Sequence, residues 1–578
     1  MPVGFVQTQR VVLHTPDDPL VLAGGEKLAA VEVAYETYGE LNAARDNAVF
    51  VCHALTGDAH AAGHHGDPDR RGWWDNLIGP GRAIDTDRYF VICPNLLGGC
   101  QGTTGPTTPD PDTGVPYGLG FPMLQMTDLV AVHRRLLEHL GIERLHAAVG
   151  GSLGGMQVLQ WAVDAPEQLE NAAMVAASSR LTAQNIAFSA VAREAIMRDP
   201  DFADGGYAGT DRTPRIGLAI ARMMAHITYL SEEAMSEKFG RRLQGEDPEA
   251  RMGLGVDFQV ESYLNHQGQT FLDRFDALSY LYLSRVMDYF DPFADPEAAA
   301  RIARGGTRFL VVSFDSDWRF DTSHSRRVVR TLEHAGVPVT FRELRSPWGH
   351  DSFLLEPAGY HDTFTAFLAG ADERGSTAPA SPRRPDLDVV AGLVPAGSRV
   401  LDLGCGEGDL LAYLAHDRGC TGTGVEIDPE AVLVAAARGV PVVELDLDTQ
   451  LGEFADNSYD VVVVSRTLQA THRPAEVLRQ VARIGRTAVL SVPNFGLWRH
   501  RVSLLRGRMP VSRDLPHPWH ETPNIHLSTL ADLEELFATT GLVVRERVPL
   551  DEGGRPLAAD RLVNLRAAAA VYALAPAG

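Results

Sequence analysis

Cysteine, lysine and long apolar runs are all scarce in this chain of 578 residues. The five cysteines, Cys52, Cys93, Cys100, Cys405 and Cys420, are odd in number, thinly spread and without CxxC spacing. That excludes a disulfide framework and a zinc knuckle, and it fits a reducing cytoplasm. Lys27 and Lys238 are the only lysines, so almost all positive charge is arginine. No apolar run approaches the roughly 18 residues of a membrane-spanning helix. Residues 1–20 lack a basic start followed by an apolar core, so no secretory signal is expected. Positive charge is also short: Lys+Arg 52 against Asp+Glu 75 gives −23. A field of that sign works against nucleic acid and anionic membrane surfaces. What is present is ordinary for a globular chain, with 45% hydrophobic and 22% charged residues, which excludes collagen, coiled coil and wholesale disorder. At about 150 residues per domain, with allowance for large ones, the length implies two to three domains.

One segment divides the chain. Residues 370–386, GADERGSTAPASPRRPD, are rich in Pro, Ser, Gly and charge and have no hydrophobic period. Such a composition suits a tether. It sets a first domain at 1–370, a linker at 371–386 and a second domain at 387–578. In the first, the apolar runs AVFVCHAL (48–55), RYFVICPN (88–95), LHAAVGGS (145–152), NAAMVAAS (171–178) and RFLVVSFD (308–315) read as strands covered on both faces. Helical stretches such as MTDLVAVHRRLLEHLG (126–141) alternate with them, which argues for an α/β parallel sheet. A long helical region, about 180–295, interrupts the alternation and reads as a cap. The second domain repeats the rhythm with seven expected strands, from SRVLDLGC (398–405) to AAAAVYAL (567–574).

Gly150-Gly151-Ser152-Leu153-Gly154 ends an apolar strand and opens a helical stretch. G-x-S-x-G in that context is a nucleophile elbow, whose strained turn exposes the serine hydroxyl. A serine needs a base, and the base needs an orienting acid, in the order Ser, acid, His. Asp315, Asp317 and Asp321 compete for the acid, and His324, His334, His350 and His361 for the base. Asp317 and His350 are favoured because they fall in loops after consecutive late strands, on the sheet edge that carries Ser152. The backbone N–H of Leu153, and one from the loop His53–Gly57, expected at Leu55, would hold an oxyanion. Asp58, His60, His64 and His65 cluster nearby, but their spacing fits no ligand pair on a helix. They read as local hydrogen bonding, and no metal is expected.

HALTGDAH (53–60), CPNLLGGCQGTTGP (93–106), GGSLGGMQ (150–157) and SPWGHDSFL (346–354) together resemble the MetX-type homoserine O-acyltransferases of the α/β-hydrolase superfamily. The resemblance covers about residues 1–370. It implies Ser152, Asp317 and His350 as the triad, with Arg222 on the homoserine carboxylate and Asp351 on its amino group. It also implies ping-pong transfer from an acyl-CoA thioester and a dimer formed through the cap. Arg319 follows the triad acid by two residues, in SDWRF, and the succinyl-transferring subgroup looks like this pattern. A succinyl carboxylate would pair with a guanidinium at the pocket border, whereas acetyl offers nothing to pair. The competing reading pairs Arg319 with Asp315 or Asp321. Acetyl transfer and serine as acceptor stay open.

In the second domain, Asp402, Gly404, Gly406 and Gly408 form a glycine-rich turn after a strand, and Glu426 ends the next strand, where an acid can bind ribose hydroxyls. A dinucleotide site is the rival reading. The D-x-G-C-G-x-G form resembles class I S-adenosylmethionine-dependent methyltransferases, in which Asp446 suits the adenine-binding position. With SRTLQATHRP (465–474) and VPNFGLWRHR (492–501), residues 387–578 resemble the methionine biosynthesis protein MetW. That resemblance implies a methyltransferase fold and a partner role. Active methyltransferase, S-adenosylmethionine sensor and structural stabiliser all stay open.

Overall fold

The computed structural model describes residues 3–244, 254–372, 384–512, 515–558 and 561–577. The chain forms two compact units, 1–337 with 342–365, and 338–341 with 366–578.

The first unit is built on strands β1 (Gln9–His14), β2 (Val31–Tyr38), β3 (Ala48–Cys52), β4 (Phe90–Pro94), β5 (Leu145–Gly151), β6 (Leu169–Val175), β7 (Arg308–Phe314) and β8 (Val339–Leu344). Their order across the sheet is β1-β2-β4-β3-β5-β6-β7-β8. β2 runs antiparallel to both its neighbours, and the pairs from β4 to β7 are parallel. Every residue of β3, β5 and β7 is buried, as their unbroken apolar runs require. The helices α1 (Met126–Leu140) and α2 (Leu153–Asp164) cover this sheet. Between β6 and β7 come α3 (Ala183–Met197), α4 (Arg215–Tyr229), α5 (Glu232–Lys238), α6 (Gln259–Phe271) and α7 (Ala277–Tyr289), the expected cap. Then follow α8 (Ala298–Gly305), α9 (Thr322–His334) and α10 (Tyr360–Asp372).

Strand ends differ from the sequence reading in one consistent way. His53–Leu55, Ser152 and Asp315 leave their strands early, because these residues form the loops above the sheet. β1 and β2 were not expected at all.

The second unit has α11 (Pro385–Leu393), β9 (Arg399–Leu403), α12 (Asp409–Arg418), β10 (Thr421–Glu426), α13 (Pro429–Ala437), β11 (Val442–Glu444), β12 (Tyr459–Ser465), α14 (Pro474–Ile484), β13 (Gly485–Pro493), α15 (Trp498–Leu505), α16 (Leu530–Thr539), β14 (Leu542–Leu550), α17 (Val563–Arg566) and β15 (Ala569–Pro576). Its strand order is β11-β10-β9-β12-β13-β15-β14, parallel except for β15, which is antiparallel to both neighbours. The order reverses at β9, so the glycine-rich turn after β9 sits at the switch point of the sheet. Of the expected linker, 373–383 lie outside the described residues, and α10 and α11 claim its flanks to Asp372 and from Pro385. No helix among the described residues is long and apolar enough to cross a membrane.

Candidate active site

Ser152 stands between β5 and α2 with φ 57° and ψ −124°, a conformation that a non-glycine residue adopts at a cost. The glycines around it make the turn possible. A Cβ at Gly154 would run into the Cys52 carbonyl, and one at Gly150 into the backbone of Gly154. The turn places the hydroxyl beside His350, which sits in the helical turn Gly349–Leu354 after β8. Ser152 Oγ donates to His350 Nε2 at 3.0 Å, and His350 Nδ1 donates to Asp317 Oδ2 at 2.7 Å. The other carboxylate oxygen, Asp317 Oδ1, accepts the backbone N–H groups of Arg319 (3.0 Å) and Phe320 (2.9 Å). All three side chains are buried. Phe320, Phe353 and Tyr229 pack around the imidazole, with ring centres 5.2, 5.5 and 5.7 Å away.

The rival acids and bases have other work. Asp315 Oδ1 accepts the Ser346 N–H, and Asp321 caps α9 through the Ser323 N–H. His324 is bonded to Ser178 Oγ at 2.6 Å, His334 ends α9, and His361 lies on α10 beside Glu356.

Ser152 and His350 open on a cavity of about 150 Å³, lined also by Leu55, Thr56, Asp58, Arg222, Tyr229, Arg274 and Asp351. Leu55 lines this cavity, and Leu153 is the first residue of α2, where helix N–H groups have no partner within the helix. Arg222 reaches in from α4, and its Nη1 donates to Thr56 Oγ1 at 3.3 Å. Its Nε is buried without a hydrogen-bond partner. Among the described residues Asp351 has neither hydrogen bond nor ion pair. Burial pushes its carboxyl above the usual range, against the pull of His350 and Arg222. A cation site and an anion site therefore face one cavity, both without a partner of opposite charge at ion-pair distance.

Arg319 was expected at the pocket border, and the structure places it just behind that border. The guanidinium is not among the cavity-lining groups. It donates to Thr228 Oγ1 at 2.8 Å and lies 5.6 Å from the centre of the Tyr229 ring, one side chain behind the wall. Its backbone N–H is committed to Asp317, and its side chain runs to Thr228 near the end of α4. It makes no ion pair with Asp315 or Asp321 or with any other described carboxylate.

The histidine cluster has a centre that sequence reasoning passed over, the buried Glu36 on β2. Glu36 accepts hydrogen bonds from His60 Nδ1 (2.9 Å), His65 Nε2 (2.7 Å), Thr8 Oγ1 (2.8 Å) and the Tyr38 hydroxyl (3.0 Å). Burial opposes protonation of His60, but the Glu36 hydrogen bond and the charges of Glu36, Asp58 and Asp75 outweigh it and raise its proton affinity. The ligand-type atoms of Glu36, His60 and His65 lie within 4.8 Å of one another. Each also serves this hydrogen-bond network, which ties the loop bearing Leu55 to β2. Arg274 was missed too, since it lies in no motif.

In the second unit, Gly404 has φ +76°, and a Cβ there would strike Thr467. Gly406 faces open space, and Gly408 caps α12. Asp402 is buried, with one carboxylate oxygen unpartnered. Burial pushes its carboxyl up to about 7, with Glu426 adding to the rise and Arg384 opposing it. Glu426 folds back on the turn: it accepts the N–H of Gly406 at 2.8 Å, of Ile427 at 2.8 Å and of Asp428 at 3.1 Å. Asp446 caps its own turn, accepting the Asp448 N–H and the Thr449 hydroxyl, each at 2.9 Å.

The sheet, the strained serine and the hydrogen-bonded Ser–His–Asp line define the class: an α/β-hydrolase-fold enzyme with a Ser–His–Asp arrangement. Family models agree and extend this, with an alpha/beta hydrolase fold match over residues 47–357 and a Methionine biosynthesis protein MetW match over 384–574. The chain is 64% identical over 366 residues to a homoserine O-succinyltransferase of Nocardioides sp., covering 63% of this chain and 99% of that one. It is 42% identical over 592 residues to a bifunctional methionine biosynthesis protein MetXA/MetW of Rhodopirellula baltica, covering 97% and 92%. The crystal structure of homoserine O-acetyltransferase from Bacillus anthracis superposes with a TM-score of 0.58 at 28% identity, covering 63% of this chain and 98% of that one. The chain belongs to the MetX-type homoserine O-acyltransferases, in the form fused to a MetW domain.

Proposed function

We propose that this chain is a homoserine O-succinyltransferase, with its acyltransferase domain at 1–370 and a partner domain at 387–578 joined through 371–386. One observation carries the reading: the Ser152–His350–Asp317 line opens on the same cavity as an unpaired Arg222 and an unpaired Asp351. His350 takes the Ser152 proton as the hydroxyl attacks the thioester carbonyl, and the Leu55 and Leu153 N–H groups hold the oxyanion. His350 returns that proton to the departing coenzyme A thiolate, which leaves as the thiol, and Ser152 carries the acyl group. Homoserine then binds with its carboxylate on Arg222 and its ammonium on Asp351. His350 takes the homoserine hydroxyl proton for the second attack and passes it to Ser152 Oγ as the O-acyl product leaves. Mass spectrometry of the chain mixed with succinyl-CoA alone should find one succinyl group on Ser152. Release of coenzyme A without that adduct, in the absence of acceptor, would defeat the ping-pong route.

Two observations support succinyl as the acyl group. The Nocardioides relative carries that name, and Arg319 is a buried guanidinium without an acidic partner, separated from the cavity by Tyr229. Acetyl is the second reading, favoured by Arg319 standing behind that ring rather than in the wall.

The second unit is proposed to bind S-adenosylmethionine. The open face of Gly406 and the unpartnered oxygen of buried Asp402 fit such a ligand. Glu426 can take ribose hydroxyls once it releases Gly406, and Asp446 can join only by releasing Thr449. The cofactor would supply an activated methyl group. Titrating the full chain with S-adenosylmethionine by calorimetry should give saturable heat, and none would defeat the assignment. A homodimer through the cap is proposed from an exposed stripe on α4, Ile216 (66%), Ile220 (45%) and Ile227 (47%). Free cysteines and intracellular substrates support a cytoplasmic location.

A further inference from the structure

Arg274, in the short connection between α6 and α7, lines the same cavity as Arg222. Its Nη2 donates to the backbone carbonyl of Thr56 at 3.1 Å, while Arg222 Nη1 donates to the hydroxyl of the same threonine. Both guanidinium groups also lie over one ring, Phe271, with the Arg222 carbon 4.7 Å and the Arg274 carbon 5.9 Å from its centre. Two cations from different parts of the cap thus converge on one residue of the catalytic loop. Neither has a carboxylate at ion-pair distance among the described residues. Asp58, also in the wall, acts on Arg274 only from farther off, and its Oδ1 already accepts the His60 N–H. Like charges brought together at a partly enclosed surface repel, and burial together with the Arg222 charge lowers the proton affinity of Arg274. An anion bound between them offsets that cost.

We propose that Arg222 and Arg274 form a two-guanidinium clamp on the α-carboxylate of the amino-acid acceptor, with Asp351 on its ammonium. The proposal rests on the acyl-transfer reading above and deepens it. Each carboxylate oxygen gains its own donor, so the clamp fixes orientation as well as charge. It also closes on Thr56, next to the expected oxyanion donor Leu55, so acceptor binding braces the loop used in the second half-reaction.

The test compares homoserine with aminopropanol, which is homoserine without its carboxylate, as acceptors for the full-length chain. kcat/KM for each is measured in wild type, Arg274→Met and Arg274→Lys. Wild type should strongly prefer homoserine. Arg274→Met should lose roughly ten- to a hundredfold of that preference, through the KM for homoserine, with Arg274→Lys between the two. An unchanged preference in both variants overturns the clamp. So does a variant that alters only the succinyl-to-acetyl donor ratio, since that puts Arg274 on the acyl group. If Arg274→Met does not fold, Arg274→Lys still decides, because it keeps the charge and removes the fork. A wild-type chain that releases coenzyme A but transfers nothing to homoserine fails the acyl-transfer reading itself.

Discussion

Ser152 keeps a costly backbone conformation because the same turn that strains it aims its hydroxyl at His350. Removing that hydroxyl in Ser152→Ala should abolish acyl transfer, read as loss of coenzyme A release. Asp317→Asn keeps the packing but supplies the wrong hydrogen-bonding partner to His350 Nδ1. It should lower kcat by about 10³–10⁴-fold, as in serine hydrolases with the equivalent change. Arg319→Leu should lower the preference for succinyl-CoA over acetyl-CoA; an unchanged ratio of kcat/KM values would defeat its assignment. The pH dependence of stability is expected from Asp402. Its folded carboxyl titrates near 7, above the unfolded value of about 3.9, so the native state holds the proton more tightly. The resulting stabilisation is complete below pH ~4 and is lost as pH rises through ~7. Melting curves of wild type and Asp402→Asn from pH 5 to about 8 should show the variant losing less stability across that window. At this scale Ser152 was legible from its G-x-S-x-G turn, and Asp317 and His350 from their loops after consecutive late strands. Arg274 was not legible: nothing local marks an arginine whose role depends on a distant threonine.

Helices and strands were legible where their hydrophobic pattern was unambiguous. β3, β5 and β7 are buried on both faces and read as continuous apolar runs. β1 and β2 escaped notice because both mix polar residues into the run, including Glu32 and Glu36 on β2. The latter is a buried charge whose histidine partners, His60 and His65, come from the loop after β3. α4 has two faces with two jobs: Arg222 and Tyr229 look into the cavity, and Ile216, Ile220 and Ile227 look out. On the proposed cap dimer, the wild type should sediment as a dimer and Ile220→Asp as a monomer at the same concentration; equal sedimentation of the two would defeat it. The elbow tolerates no added bulk. Gly154→Ala forces a Cβ against the Cys52 carbonyl and should destabilise the first unit by about 1–3 kcal/mol in a denaturant titration, with loss of activity.

Across the whole molecule, the two units carry two different α/β topologies, and each puts its candidate site at the carboxyl ends of its parallel strands. In the sequence, a compositional break at 370–386 and two motif sets carry the two-domain reading. How the acyl group is chosen was less readable, because Arg319, the proposed selector, stands behind the Tyr229 ring rather than in the cavity wall. The chain is acidic overall, yet the cavity wall holds two guanidinium groups, as anionic substrates require. The central claim is succinyl transfer to homoserine. It is tested most directly by offering the full-length chain homoserine or serine with succinyl-CoA or acetyl-CoA and identifying the products. The account expects O-succinylhomoserine to dominate. O-acetylhomoserine or an O-acylserine as the main product, or free acid alone, would contradict it.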